Sequence, residues 1–109
     1  MTNGAFFEIY RKYQEENMAF GTSYSRTNLI KNHFLEEYGG KELSDITYIT
    51  INCVYDSMAD SGFSDNTIFG IYAALMSFFK MAAEYGEVES NPVCFAKSVR
   101  PEMRNRRKS

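Results

Sequence analysis

The two prolines of this chain lie at positions 92 and 101, so the first 91 residues contain none. Proline removes a backbone N–H and its ring collides with the preceding helical turn, which keeps it out of helix interiors. The first 91 residues can therefore form helices without interruption. At 109 residues the chain is long enough for one buried core. These features favour a single all-α domain.

The first half of the chain predicts two helices. Residues 4–19 carry apolar side chains at helical spacing, with charged residues between them. The Gly-Thr-Ser triplet at 21–23 predicts a break, with capping residues for a second helix over residues 24–38. Gly39 and Gly40 predict the end of that second helix.

A third helix is predicted after the connector at residues 42–46. Thr47 is its expected N-cap, and four apolar residues follow at the i, i+3, i+4 and i+7 spacing of a helix, namely Ile51, Val54, Tyr55 and Met58. The β-branched run at residues 46–51 also fits a strand, but the helical period continues through Met58 and favours a helix. Gly62 is expected to end it.

The fourth helix has the clearest signal. A capping cluster at residues 64–67 precedes one wide apolar stripe, formed by Ile68, Ile71, Tyr72, Leu75, Phe78, Phe79 and Ala82. Gly86 predicts its end, and Asn91 before Pro92 predicts an extended exit. The sequence therefore predicts a compact bundle of four short helices over residues 1–92, followed by a basic linker over residues 93–109.

Composition limits the class of protein. No apolar run approaches the roughly 20 residues that span a membrane, and the N-terminus lacks the pattern of a secretory signal, so a cytoplasmic protein is expected. Cys53 and Cys94 lie far apart in sequence, and the one histidine, His33, is close to neither. A zinc site needs about four clustered ligands, so we expect no metal or cofactor. Two buried free thiols are favoured over a disulfide.

Charge is divided unevenly along the chain. Residues 1–93 hold six Lys or Arg against 13 Asp or Glu, whereas residues 94–109 hold one acid, Glu102, and six bases: Lys97, Arg100, Arg104, Arg106, Arg107 and Lys108. An acidic body with a basic tail suggests a polyanionic partner for the tail. A solvated basic end with no partner is the alternative.

The block that spans the third and fourth helices carries an ordered set of residues: Asp45-Ile46-Thr47, Ser61-Gly62-Phe63-Ser64, Asn66-Thr67-Ile68, Leu75, Phe78-Phe79, Ala82-Ala83, Gly86 and Asn91-Pro92. This order resembles the N-terminal core-binding, or SAM-like, domain of tyrosine recombinases and phage integrases, over about residues 6–101. The first helix departs from the family in lacking the tryptophan that many members carry, since the chain contains none.

The resemblance implies a DNA-binding domain without catalytic activity of its own. In the family this domain clamps double-stranded DNA at the recombination core site, opposite a catalytic domain that supplies the arginines, histidine and tyrosine nucleophile. The expected partners are DNA, that catalytic domain and neighbouring recombinase subunits, with no membrane. The parent protein would be a tyrosine recombinase of a bacterial or phage mobile element.

The resemblance further implies that the second and fourth helices face DNA. The residues expected to contact it there are Ser23, Ser25, Arg26, Asn28, Lys31, Ser64, Asn66 and Thr67, and those expected in the tail are Lys97, Arg100, Arg104, Arg106 and Arg107. Hydroxyl and amide groups at a helix N-terminus suit phosphate. Asp65 opposes this arrangement, because a carboxylate repels phosphate.

One other class of function fits the same sequence. An acidic helical body could be a protein–protein interaction module, with a tail that binds nothing. A small enzyme is disfavoured, because neighbouring carboxylates such as Glu15 and Glu16 diverge on a helix and no nucleophile or nucleotide motif accompanies them. Continuation of the native reading frame into a catalytic domain would favour the recombinase interpretation.

Overall fold

The computed structural model of the protein describes residues 1–96, and within them the chain is all-helical, with no strand. Four helices form one globule. We label them α1 to α4, where α2 consists of three consecutive helical segments: α1 Asn3–Asn17, α2 Phe20–Ile30 with Lys31–Leu35 and Glu36–Tyr38, α3 Tyr48–Asp60 and α4 Asp65–Glu84. Short 3-10 turns at Leu43–Asp45 and Pro92–Phe95 complete the described chain. The all-α prediction is confirmed.

Local capping explains most of the helix ends. The Thr2 hydroxyl accepts a hydrogen bond from the Ala5 N–H, and the Ser64 hydroxyl accepts one from the Thr67 N–H. Gly62 and Gly86, which follow α3 and α4, have φ of 89° and 78°. That left-handed conformation is one that glycine adopts at little cost. The ends at Gly62, Ser64 and Gly86 agree with the sequence predictions, whereas the Thr2 cap was not predicted.

The predicted break at residues 21–23 is wrong, because α2 begins at Phe20. No side-chain hydrogen bond caps its start at Ala19. Ser23 is buried, and the Thr27 hydroxyl donates to the Ser23 carbonyl at 2.8 Å. This i to i−4 bond satisfies a hydroxyl inside a helix, so the polar triplet continues the helix. A π-helical turn at Lys31–Leu35 then inserts one wider turn.

The core is built around aromatic side chains on α4. The Phe78 ring lies 5.4 Å from Phe6, 5.3 Å from Tyr10 and 5.1 Å from Phe79 between centroids, each pair edge to face. The predicted α3 positions are all buried, as is the α4 stripe except for the half-buried Tyr72. Tyr48, the first residue of α3, is 48% exposed.

Residues after α4 also belong to the core. The Asn91 side-chain amide donates to the Met76 carbonyl at 3.0 Å, and its carbonyl oxygen accepts from the Val93 N–H. Pro92 and Val93 are buried as a result. Packing therefore extends to the 3-10 turn that follows Asn91, past residue 92.

Two further expectations concern surface and membrane. Cys53 and Cys94 are free, as expected, but both are exposed where buried thiols were predicted. Cys53 lies on α3 opposite the buried face formed by Ile51, Val54 and Tyr55.

By length and composition alone, α4 could cross a membrane, since its mean hydropathy over an 18-residue stretch is 1.2. The buried helix at the centre of a soluble core has the same properties.

Candidate nucleic-acid interface

The outward face of α2 carries three of the predicted contact residues. Ser25, Asn28 and Lys31 are all exposed, and their spacing of three residues places them on one side of the helix. Asn28 and Lys31 also line a shallow groove of about 250 Å³ between α1 and α2. These three side chains are available to a ligand that lies along α2.

Arg26 is turned away from that face. It is half-buried, and its Nη1 donates to the Gln14 side-chain oxygen on α1 at 3.4 Å. The neighbouring Tyr10 hydroxyl donates to Ser77 Oγ at 3.2 Å. Burial raises the pKa of Tyr10, against the opposing effects of the Ser77 hydrogen bond and the Arg26 charge. Arg26 therefore joins a polar contact between α1 and α2.

Ser23 lies in the interior, with 4% of its surface exposed. The expectation that its hydroxyl faces outward is wrong. The reason is the earlier start of α2, which places position 23 one turn inside the helix, on the side that also buries Ile30 and Phe34.

The N-terminus of α4 carries the other predicted group. Ser64 and Asn66 are exposed and Thr67 is half-buried. The Ser64 and Thr67 hydroxyls lie 3.0 Å apart and bond to each other, while the Ser64 oxygen caps the Thr67 N–H. Both hydroxyls therefore have a structural role at the helix end. Asn66 offers its side-chain amide to solvent at the positive end of the α4 dipole.

Two contacts hold α2 beside the start of α4. The His33 ring packs edge to face on Phe63, with centroids 4.8 Å apart. One turn earlier on α2, Leu29 packs against Gly70, where an added Cβ would lie 3.2 Å from Leu29 Cδ1. The side of α2 that carries Leu29 and His33 therefore adjoins the start of α4, while Asn28 and Lys31 line the groove between α1 and α2.

Acidic residues of α2 and α4 lie only near the helix ends, with Glu36 and Glu37 in the last turn of α2 and Asp65 and Glu84 at the two ends of α4. Residues 20–35 contain no Asp or Glu, and residues 61–83 contain only Asp65. By contrast, residues 36–60 hold six acids, Glu36, Glu37, Glu42, Asp45, Asp56 and Asp60. In the adjoining groove, the Arg11 guanidinium bonds to Glu8 and Glu15 at 2.8 and 2.7 Å. Lys31 is the exposed cation of the α2 face.

The exposed aromatic residues at the start of α2 were not foreseen as part of a site. The Phe20 and Tyr24 rings stack with centroids 5.9 Å apart, and Phe20 is 83% exposed. Tyr24 lines the same groove as Asn28 and Lys31. The sequence signal was the Phe20–Tyr24 spacing of four residues, which the assumed break at 21–23 concealed.

The predicted tail contacts, Lys97, Arg100, Arg104, Arg106 and Arg107, lie outside the described residues. Within residues 1–96, no group of three or more His, Cys, Asp or Glu side chains is placed to hold a metal ion. Comparison of the chain with protein-family models, with curated proteins and with solved structures finds no match.

Proposed function

We propose that this chain is a SAM-like core-binding domain of a tyrosine recombinase, and that it binds double-stranded DNA without catalytic activity. The outer face of α2 and the N-terminus of α4 would lie against the duplex. A catalytic domain and neighbouring recombinase subunits would be its protein partners in the parent enzyme. The ordered residues from Asp45 to Pro92 that resemble the family support this assignment.

The single observation that carries the proposal is the low acid content of the α2–α4 surface in an otherwise acidic body. DNA presents about one phosphate charge per 1.7 Å of helix axis, so carboxylates on a binding face are strongly unfavourable. The two helices expected to face DNA contain four acids, Glu36, Glu37, Asp65 and Glu84, all near the helix ends. Residues 20–35 and 61–83 contain only Asp65, whereas the rest of residues 1–96 contain 12 acids. A surface that binds a basic protein partner would favour the opposite distribution.

Each side chain of this surface has a proposed role. Lys31 neutralises phosphate, Ser25 and Asn66 donate hydrogen bonds to phosphate oxygens, and Asn28 contacts phosphate or an adenine edge. Ser64 and Thr67 act through the helix end that they cap, which directs N–H groups toward an anion. Arg26 holds α2 against α1 through its hydrogen bond to Gln14. The basic tail residues would follow the DNA backbone beyond the body.

The experiment is a fluorescence-anisotropy titration of a labelled 30-base-pair duplex with the 109-residue chain, at several salt concentrations. Non-specific binding to duplex DNA has a Kd of about 10⁻⁴–10⁻⁶ M at physiological salt, so we expect micromolar binding at low salt. Lys31→Glu should weaken it about fivefold or more, because the substitution replaces an attraction to phosphate with a repulsion.

The matched control is Lys41→Glu, which makes the same change of charge at an exposed position in the turn after α2. It should weaken binding much less than Lys31→Glu. Equal weakening by the two variants would show that α2 is not the contact surface. Failure of the unmodified chain to bind even at low salt would favour the alternative, an acidic protein-interaction module.

A further inference from the structure

A second groove, of about 640 Å³, lies on another part of the surface. Its walls are the segment that leads into α3 and the segment that follows α4. Apolar side chains line it, and two of them are unusually exposed for aromatic residues, Tyr48 at 48% and Phe95 at 66%. Ile46, Val88 and Pro92 complete the apolar lining.

The same two segments are strongly acidic. Residues 42–48 and 84–90 contain no Lys or Arg and five acids, Glu42, Asp45, Glu84, Glu87 and Glu89. Glu87 and Glu89 line the groove directly. Glu42 accepts a hydrogen bond from the Met1 ammonium at 2.8 Å. This bond is the main cause that raises the pKa of the ammonium, and the negative charge of Glu87 also raises it. A cation is thus already stabilised beside these carboxylates.

This chain contains a segment with the complementary chemistry. Positions 97–109 hold six basic residues and one acid, and among them Val99 and Met103 are apolar. The segment starts directly after Ala96, and Phe95 forms part of the groove wall. Thirteen residues can span up to roughly 40 Å when extended, so the segment is long enough to return along the groove from its starting point.

We propose that residues 97–109 dock in this acidic groove of their own chain, with Val99 or Met103 against the apolar lining and the arginines beside Glu87 and Glu89. This docking does not depend on DNA binding. If the proposed function also holds, DNA must compete with the groove for the same basic residues. Docking of the tail in the groove would then weaken the binding of the tail to DNA.

The test compares backbone amide NMR spectra of the 109-residue chain and of a chain that ends at Ala96, with no DNA present. Every buried core residue among those described lies at or before Val93, so the shorter chain keeps its core. We expect removal of the tail to shift the amides of Tyr48, Glu87, Val88 and Glu89. A synthetic peptide of residues 97–109, added in excess, should restore those shifts.

In the full chain these shifts should not change over a hundredfold dilution. A dependence on concentration would show that the tail occupies a second copy, and coincident spectra at the four groove positions would show that it occupies no groove. Either result overturns the proposal. Both leave the DNA titration unaffected, so the two proposals fail separately.

Charge variants of the shorter chain test the role of the groove carboxylates. Glu87→Gln with Glu89→Gln should weaken peptide binding about fivefold, as expected for two ion pairs at the protein surface. Glu16→Gln with Asp60→Asn removes the same charge from two exposed positions outside the groove and should leave peptide binding nearly unchanged. Equal weakening by both pairs would mean diffuse attraction to an acidic body, and would contradict docking.

Discussion

Gly39 ends α2 without using the left-handed conformation that glycine often supplies at that place. Its φ is −59°, which any residue adopts. However, a Cβ on Gly39 would lie 2.6 Å from the Leu35 carbonyl oxygen, and the Gly39 carbonyl accepts the Gly4 N–H at 2.9 Å. Lack of space beside the Leu35 carbonyl therefore requires glycine here, and the backbone bond to Gly4 ties α1 to this end of α2.

Gly39→Ala should accordingly destabilise the domain. The methyl group must displace the last turn of α2 at the Leu35 carbonyl. Overpacking of this kind costs about 1–3 kcal/mol. Gly40→Ala is the control, because a Cβ there meets no atom within 4 Å. Urea denaturation followed by circular dichroism measures both. Equal stability of the two variants would contradict the close approach at Gly39.

The Tyr55 hydroxyl is buried and has no hydrogen-bond partner within residues 1–96. A buried hydroxyl without a partner destabilises a fold, so Tyr55→Phe should leave the unfolding free energy at pH 7 unchanged or raise it by up to about 1 kcal/mol. Chemical denaturation of the variant and of Tyr13→Phe, at an exposed tyrosine, checks this. A loss above about 1 kcal/mol for Tyr55→Phe alone would indicate a hidden hydrogen bond.

The same tyrosine predicts how stability depends on pH. Burial raises the pKa of Tyr55 far above 10, and burial with a hydrogen bond to Glu37 raises the pKa of Tyr38 to about 12. Above pH 10 the unfolded chain releases these protons while the fold retains them, so the free energy of unfolding falls as pH rises. Denaturation midpoints from pH 8 to 11 should decline, and less steeply in Tyr55→Phe.

Among the helices, α4 depends on its N-terminal cap. The Ser64 oxygen accepts the Thr67 N–H at 3.2 Å, and loss of such a cap costs about 1 kcal/mol. Ser64→Ala should therefore lower stability by that amount, and Ser64→Asp should restore it, since aspartate caps equally well. Thermal unfolding tests both, with Ser57→Ala on the exposed face of α3 as control. If Ser64→Ala has the same melting temperature as Ser57→Ala, the cap does not contribute to stability.

Elements whose ends are fixed locally were predictable from the sequence. Thr47, Ser64, Gly62 and Gly86 act through their own backbone or through residues three positions away. The start of α2 was not predictable, because it depends on burial of Ser23 in the tertiary fold, which overrides the turn preference of the triplet at 21–23. The π-helical turn at Lys31–Leu35 had no local signal either.

The candidate site was predicted in part for the same reason. Exposed polar residues at helical spacing, such as Ser25, Asn28 and Lys31, follow from the helical period alone. The orientation of Arg26 depends on Gln14, which is 12 positions away and buried on α1. Contacts between separate helices depend on how the whole core packs. A single sequence does not reveal that packing.

The fold of the whole body separates its charges. Packing of α2 against α4 places the acid-poor segments 20–35 and 61–83 side by side. The acidic segments 42–48 and 84–90 meet instead at the groove between α3 and the end of α4. The chain thus presents one surface compatible with a polyanion and another compatible with a polycation. The basic segment 97–109 follows Phe95, which lines the acidic groove.

That arrangement makes a prediction about salt. Each phosphate that a protein cation neutralises adds about 0.9 to the slope of log affinity against log salt concentration. Positions 97–109 supply six cations, so a chain that ends at Ala96 should lose up to about five units of slope. Lys31→Glu in the full chain should lose only about one.

The shortened chain must end at Ala96 for this comparison. A cut before Pro92 would remove Val93, which is 2% exposed, and loss of that buried side chain would weaken DNA binding by unfolding the body. Anisotropy titrations from 50 to 200 mM salt give the slopes, and circular dichroism confirms that both chains remain folded. Equal slopes for the full and shortened chains would place every phosphate contact on the α2–α4 surface, and the tail would then be free for the acidic groove even when DNA is bound.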